Sequence, residues 1–312
     1  MPTADASAGG SWPRSVAIQV VLYDNDGRQQ RRLAAGIAAA VRDMRSTLAL
    51  ERVAVRYGDC SRWPCLGEPE QEAIRAELAG VVDDVSFTFF DANLGSGGGS
   101  NALAALGDED VVWILNPDTY PSPTSARLLL AALDSDGVAA TEGRQIPIEH
   151  PKDYDPQTGE TSWVTGCCVM LRREAFDSVA GFDAHFFPLY GDDVDLSWRL
   201  RAAGWTLRHV PRAVIVHDKP IGRTGEVRWS AMQARSSHLA RLWLYRRYAR
   251  PDLERAFLES IDADRDPVGV DAIAEFTRRV DAGDVPDALA EAALVADFVD
   301  GRYGRMRFLY AG

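Results

Sequence analysis

Four times before residue 119 an apolar run breaks into a short polar loop. The runs are SVAIQVVL (15–22), RVAVRYGD (52–59), VSFTFF (85–90) and VVWIL (111–115), and a helix-forming stretch follows each of the first three. Apolar strands that alternate with amphipathic helices predict a parallel sheet with helices on both faces, and such sheets bind ligands beyond the carboxyl ends of their strands. Asp24, Asp59, Asn93 and Asp118 each follow a strand, so they are expected to gather on one edge. Later segments continue the pattern: a helix over 125–137, an apolar strand through GCCVML, a helix from GDDVDL, and a strand TLRHVPRAVIVH that ends in His217.

The fourth strand ends abruptly in Asn116-Pro117-Asp118. Pro117 has no amide to give a ladder, so the strand stops there and the acid projects past the sheet edge. Two uses fit: a cap for the turn PDTYPSP, or a ligand to Mg²⁺ or Mn²⁺, which take oxygen ligands shared with a bound diphosphate. The stretch NLGSGGGSN (93–101) has four glycines between a strand and a helix. It suits close backbone approach to a phosphate or ribose, and equally a flexible turn. It is neither a dinucleotide fingerprint nor a P-loop. Asp192, Asp193 and Asp195 open a helix, where the dipole favours anions by about 0.3–1 kcal/mol. One or two suffice as caps; acids that stay ionised at neutral pH are what a general base requires. His217 ends its strand at the same edge as Asp118, as a packed histidine or as a ligand to a shared metal.

The chain has 312 residues, 46% of them hydrophobic, and a formal net charge of -12. That balance does not favour the cationic face a general nucleic-acid binder needs. No run approaches the length of a membrane span, and MPTADASAGGSWPRS lacks the basic start and apolar stretch of a leader. These features predict a cytoplasmic protein with a disordered tail over residues 1–15. Cys60, Cys65, Cys167 and Cys168 show no C-x2-C pair, which predicts reduced thiols, with a Cys60–Cys65 disulfide as the lesser option. The character changes near residue 220, giving a catalytic domain over 16–220 and a helical region over 221–312. Within that region RSSHLARLWLYRRYARPD mixes arginines with Leu242, Trp243, Leu244 and Tyr245. It is expected to pack on the catalytic domain or form a homodimer interface, or alternatively to make a peripheral contact with an anionic membrane.

Taken together, VVLYDN, GDCS, NLGSGGGSN, LNPD, GCCVMLRREAFDSVAGFDAHFFPLYGDDVDLSWRLRAAGW and VPRAVIVH resemble glycosyltransferase family 2 in order and spacing. The likeness is to its rhamnosyltransferase-like and galactofuranosyltransferase-like members, covers residues 16 to about 250, and is most specific over 166–217. It implies an α/β GT-A fold, a Rossmann-like and mostly parallel sheet, with a nucleotide-binding half over about 16–120 and an acceptor half over about 121–220. It implies an inverting, metal-dependent transferase that moves a sugar from dTDP-rhamnose or a UDP-sugar to a hydroxyl of a glycan or lipid-linked saccharide. By the same resemblance Asp118 and His217 hold Mn²⁺ or Mg²⁺ and Asp193 is the base, with Asp192 beside it. Tyr23, Asp24 and Asp59 lie at the nucleobase, and Asn93, Gly95, Asn101 and Asn116 near ribose or phosphates. The chain departs from the family in having Asp192-Asp193 for Glu-Asp and Tyr23-Asp24-Asn25 for Tyr-Asn. A sugar-nucleotide nucleotidyltransferase would want a Gly-rich basic loop after the first strand, where this chain has YDNDGRQQ; a non-catalytic nucleotide-sugar or glycan binder would not need base and metal residues together. Acceptor specificity is expected in the loop GRQIPIEHPKDYDPQTGETSW (143–163).

Overall fold

A computed structural model describes residues 12–150, 152–219, 230–262 and 265–305. Of the expected disordered tail, residues 1–11 lie outside the described residues. Residues 12–15 are placed: the Arg172 guanidinium stacks 3.9 Å from the Trp12 ring, and the Arg14 amide donates to Asp110 at 2.7 Å. Residues 12–15 are thus held by a cation–π contact and a carboxylate clamp.

The elements run β1 (Ser15–Leu22), α1 (Gly27–Thr47), β2 (Arg52–Asp59), α2 (Glu68–Leu78), β3 (Asp84–Phe89), α3 (Gly95–Ala104), β4 (Val111–Leu115), β5 (Thr119–Pro121), α4 (Ser125–Leu133) and β6 (Val138–Ile146). Then follow β7 (Cys168–Arg172), α5 (Arg173–Ser178), α6 (Asp192–Ala202), β8 (Thr206–His217), α7 (Ala231–Arg247), α8 (Pro251–Ser260), α9 (Pro267–Asp281), α10 (Ala292–Val295), β9 (Phe298–Val299) and β10 (Arg302–Tyr303). The first eight strands form one sheet in the order β3-β2-β1-β4-β7-β6-β8-β5. Strands β1 to β4, β6 and β8 share one direction, while β7 and β5 pair antiparallel to their neighbours. The mostly parallel α/β sheet is as expected, with two reversals. Because β7 is reversed, its amino end, preceded by residues 164–167, lies at the same edge as the carboxyl ends of β4 and β8.

Burial explains the apolar runs. In β4, Val111, Trp113 and Leu115 face a core shared with Leu33, Ile37, Val41 and Met44 of α1 and Leu129, Leu130 and Leu133 of α4. Val112 and Ile114 face the other layer, against Phe176 of α5 and Leu196 and Leu200 of α6. A strand covered on both faces has no place for alternation, so it reads as continuous apolar sequence.

A third core joins the C-terminal helices to the sheet. Trp243, Leu244 and Tyr245 of α7 pack with Phe187, Val194 and Trp198 of the earlier region. The expected packing role of this helix is what the structure shows. These apolar side chains are at most 2% exposed, and Arg246, Arg247 and Arg250 are paired with Glu254, Asp195 and Asp252. Among the described residues no helix is long and apolar enough to cross a membrane. The region expected to be helical over 221–312 is so only in part among the described residues: Gly283, with positive φ, closes α9 as its amide and that of Asp284 donate back to Val280 and Arg279, and β9 and β10 pair as a small hairpin.

The acid that matters most to this junction is Asp195, fully buried on α6. It accepts from Arg199 and Arg247, each at 2.8 Å, and from the Tyr248 hydroxyl at 3.1 Å, while Arg247 also reaches Asp183 at 2.5 Å. Of the three acids that open α6, this one is structural. Asp195→Ala would strand a buried guanidinium and is expected to cost about 3–5 kcal/mol. Urea denaturation checks this, and a midpoint equal to that of the parent chain would refute the assignment.

Candidate active site

Strand pairing brings two sequence-distant residues together. Antiparallel β5 sets Thr119 opposite His217 on β8, and the Asp218 amide donates to the Asp118 carbonyl at 2.8 Å. The Asn116-Pro117-Asp118 turn is itself pinned: the Asn116 amide donates to Cys167, the Thr119 amide donates back to Asn116, and Gln30 of α1 holds the Pro117 carbonyl. As a result Asp118 Oδ2 lies 3.3 Å from His217 Nε2. On the far side of the ring, His217 Nδ1 pairs with the buried Gln145 amide oxygen at 2.9 Å, which turns Nε2 towards the carboxylate side. Among the described residues no group of three or more His, Cys, Asp and Glu side chains is placed to hold a metal. An oriented imidazole beside a part-exposed carboxylate nevertheless fits a divalent ion whose other positions are filled by diphosphate oxygens and water.

Both residues line a cleft of about 480 Å³, which also takes in Asn116, Asp192 and Asp193. The chain enters α6 through a tight reversal in which Tyr190 and Gly191 both have positive φ. Gly191 is needed for a second reason: a Cβ there would sit 3.0 Å from Ala240 of α7. The turn drives Asp192 into the protein, while Asp193 accepts from the Gly166 amide at 3.0 Å and from the Val194 amide at 2.9 Å.

The sequence-based expectation that these acids stay ionised at neutral pH is corrected for Asp192. Burial pushes Asp192 up to about 8, reinforced by the neighbouring Asp193 charge. Burial also raises Asp193, partly offset by the Gly166 amide and the Lys152 charge. Loss of solvent outweighs the helix dipole, which contributes at most about 1 kcal/mol at such a terminus.

Residues expected at the nucleotide end are placed differently. Asp59 accepts from the Ser61 and Cys65 amides at 2.9 and 2.7 Å, so its carboxylate organises the loop after β2. All four cysteines are free. Asp24 has positive φ and its amide is held by Ser61 Oγ at 2.8 Å, while Tyr23 is 48% exposed at the same edge. Asn93 caps the Gly95 amide at 3.1 Å. Asn101 is committed elsewhere: its amide donates to the Phe182 carbonyl at 2.8 Å and accepts from the Phe182 amide at 2.9 Å, so it clamps a loop. The glycine stretch is no open phosphate loop either. It forms the first turns of α3, where a Cβ on Gly97 would meet Phe182 at 2.8 Å and one on Gly99 would meet Val21 at 2.7 Å. Close packing of α3 against the sheet accounts for these glycines. Of that group only Ser96 borders the cleft.

Sequence reasoning missed three sets of residues. Gln145 orients His217. Lys152, Glu142 and His209 form a buried ionic cluster behind Asp193, with Lys152 Nζ and His209 Nδ1 each 2.9 Å from Glu142. The C-terminal region closes the cleft with Ser237 and Arg241 of α7 and with Arg302 and Tyr303 of β10. No pattern in the sequence announces the last set, because the residues reach the cleft through tertiary packing of α7 on α6.

Residues 148–237 match the family model described as Glycosyl transferase family group 2. A glycosyltransferase family 2 segment therefore lies in this chain. The N-acetylglucosaminyl-diphospho-decaprenol L-rhamnosyltransferase of Mycobacterium tuberculosis is 30% identical over 175 residues, which are 41% of this chain. The match spans 57% of that relative's length, somewhat over half. Two solved structures share the GT-A fold. A mannosyltransferase from Pyrobaculum calidifontis, in complex with GDP-Man and Mn²⁺, has a TM-score of 0.54 at 17% identity and covers 95% of this chain and 82% of its own. GalNAc-T7 with UDP, GalNAc and Mn²⁺ has a TM-score of 0.56 at 14% identity over 88% of this chain and 60% of its own. The family 2 segment contains Asp192, Asp193 and His217, whereas Asp118, Arg241, Arg302 and Tyr303 lie outside it.

The raised Asp192 has a stability signature. A free aspartate titrates near 4, so between about pH 4 and pH 8 the folded chain binds a proton that the unfolded chain does not, and stability falls as pH rises through that window. Asp192→Asn removes the titration. Its melting temperature is expected to exceed that of the parent chain by a margin that grows from pH 5 to pH 8, measured by thermal denaturation. A margin independent of pH contradicts the assignment.

Proposed function

We propose that this chain is a glycosyltransferase that moves a sugar, with inversion, from a nucleoside-diphosphate donor to a hydroxyl of a glycan or lipid-linked saccharide. The observation that carries the reading is that Asp118, His217 and Asp193 line one cleft at the carboxyl edge of a GT-A sheet. Asp193 takes the proton from the acceptor hydroxyl, the oxygen attacks the anomeric carbon, and the bond from that carbon to the diphosphate breaks. A carboxyl whose pKa is raised towards the working pH is a stronger base once ionised. Asp118 and His217 would hold Mn²⁺ or Mg²⁺, which when bound offsets charge on the leaving diphosphate. Tyr23 and Asp24 lie at the edge where the nucleobase would rest, with Asn116 nearer the phosphates.

The neighbours' complexes with GDP-Man, UDP and Mn²⁺ support a nucleotide-sugar donor and a divalent ion. The Mycobacterium tuberculosis relative, an L-rhamnosyltransferase, supports dTDP-rhamnose ahead of a UDP-sugar and a polyprenyl-diphosphate saccharide as acceptor. Such substrates fit a cytoplasmic enzyme of cell-envelope polysaccharide synthesis.

A thermal-shift screen of dTDP, UDP, GDP and their sugars with Mn²⁺ should raise the melting temperature for one nucleotide series, since a ligand that binds only the folded state stabilises it. No shift with any of them would count against the reading. With the selected donor, Asp193→Asn should lower turnover by roughly 10²- to 10⁴-fold while the donor Kd stays near that of the parent chain. Turnover that survives the substitution removes Asp193 from the role. Asp118→Ala should instead weaken Mn²⁺-dependent donor binding by calorimetry, and an unchanged Kd would remove Asp118 from the ion site.

A further inference from the structure

The loop that carries the expected acceptor specificity is nailed to the sheet by an ion pair that no surface role explains. Lys152 is 3% exposed and Glu142, on β6, is 1% exposed. The ammonium donates to Glu142 Oε2 at 2.9 Å and to the Trp163 carbonyl at 2.5 Å, and it lies 3.7 Å from the centre of the Trp163 ring. The same carboxylate oxygen accepts from the Thr165 amide at 2.6 Å. The next amide in the chain, Gly166, is the one that donates to Asp193. One continuous set of short contacts therefore runs from Lys152 through Glu142 and residues 163–166 to the Asp193 carboxylate.

We propose that Lys152 is a positioning residue for the reaction: with Glu142 it sets the entry to β7 so that the Gly166 amide holds Asp193, and it supplies the buried positive charge that Asp193 faces. This rests on the reading of Asp193 as the base. Burying an ammonium and a carboxylate is costly unless both are paired and fully hydrogen-bonded, and a loop could be fixed by apolar residues at lower cost. The pair earns its place by acting on a neighbour. Burial alone would raise Glu142, yet the Lys152 charge and the His209 hydrogen bond outweigh it and hold the carboxyl at about 2, while burial lowers Lys152 and the Glu142 charge opposes that. Among the described residues, the charged or titratable groups that bear on Asp193 include Lys152 from the loop, Glu142 from β6, Asp192 from α6 and Tyr303 from β10. Lys152 is the cation of this set, and its charge favours the ionised base together with the Gly166 and Val194 amides.

The sign of the charge gives a test that loss of structure cannot imitate. The pH dependence of kcat is followed as nucleoside-diphosphate release from the donor chosen in the thermal-shift screen, dTDP-rhamnose first. Lys152→Met should move the acidic limb of the profile up by about one pH unit, and Glu142→Gln, which keeps an acceptor for the Thr165 amide, should move it down. Lys152→Arg should leave it in place. Melting curves and donor Kd show which variants are folded with an intact donor site. If the Met variant does not fold, Lys152→Gln replaces it and the opposed shift in Glu142→Gln still decides. Limbs that stay put in folded variants, or that shift the same way in both, overturn the proposal. If Asp193→Asn itself keeps full turnover, the fault lies with the base assignment; if it abolishes turnover while the limbs do not move, the fault lies with Lys152 alone.

Discussion

The site depends on the pairing of a three-residue strand, β5, against the end of β8. Without it the Asn116-Pro117-Asp118 turn would be a strand terminus with an exposed acid. With it, Asp118 is carried beside an imidazole nearly a hundred positions later in the chain, and the ring is turned by Gln145 so that Nε2 faces the acid. Three weak devices cooperate here. Pro117 ends β4, the reversed β5 returns the chain along the edge, and the amide of Gln30 on α1 fixes the turn between them. None is specific by itself, and their product is a fixed pair of groups at the mouth of a cleft.

The second constraint is electrostatic. A chain of formal charge -12 concentrates three acids at the head of α6, where two would be expected to repel and a third to add nothing. The fold separates their fates by what each meets. Asp195 meets Arg199 and Arg247 and becomes the tie between α6 and α7. Asp192 meets no cation and is driven towards its neutral form by burial. Asp193 meets two amides and the field of Lys152, an intermediate setting, and it borders the cleft. Neighbouring carboxyls whose environments push their proton affinities apart are a recurrent arrangement where one must act as a base.

How much of this was legible follows the same physics. Strands β1, β2 and β4 could be read because burial on both faces leaves long apolar runs, whereas the half-buried β3 and the alternating β8 could be read from their β-branched and aromatic residues. Helix α6 could be read because its acids mark its start. The family resemblance over 166–217 lay in the sequence, and residues 148–237 do match the family model. Strand β6 was not legible: VAATEGRQI mixes small and polar residues, and its Glu142 and Gln145 look solvent-facing although they are 1% and 3% exposed. They are buried because their partners, Lys152 and His217, come from other parts of the chain. The ionisation of Asp192 was misjudged for a related reason. A helix terminus can be read from sequence, but the depth of its burial is set by α7 pressing on Gly191 through Ala240. The glycines of α3 were legible as a need for closeness; what comes close is Val21 and Phe182, with no sign in the sequence to tell side chains from a phosphate.

The same packing bears on where selectivity resides. The cleft wall opposite the sheet edge is built from α7 and β10, and its Arg241, Arg302 and Tyr303 lie beyond the segment that matches the family model. Discrimination between acceptors comes from groups that touch the part of the substrate that differs, and a buried polar group left unpaired by the wrong substrate is the strongest such device. Tyr303 is half-buried and hydrogen-bonded to Arg241; burial raises its pKa, and the Asp193 charge adds to this. A region joined to α6 by the Asp195–Arg247 pair thus closes the cleft around the proposed base. The helix whose first turn carries Asp193 and the wall that faces it are parts of one core, so the shape of the cleft and the position of the proposed base are coupled.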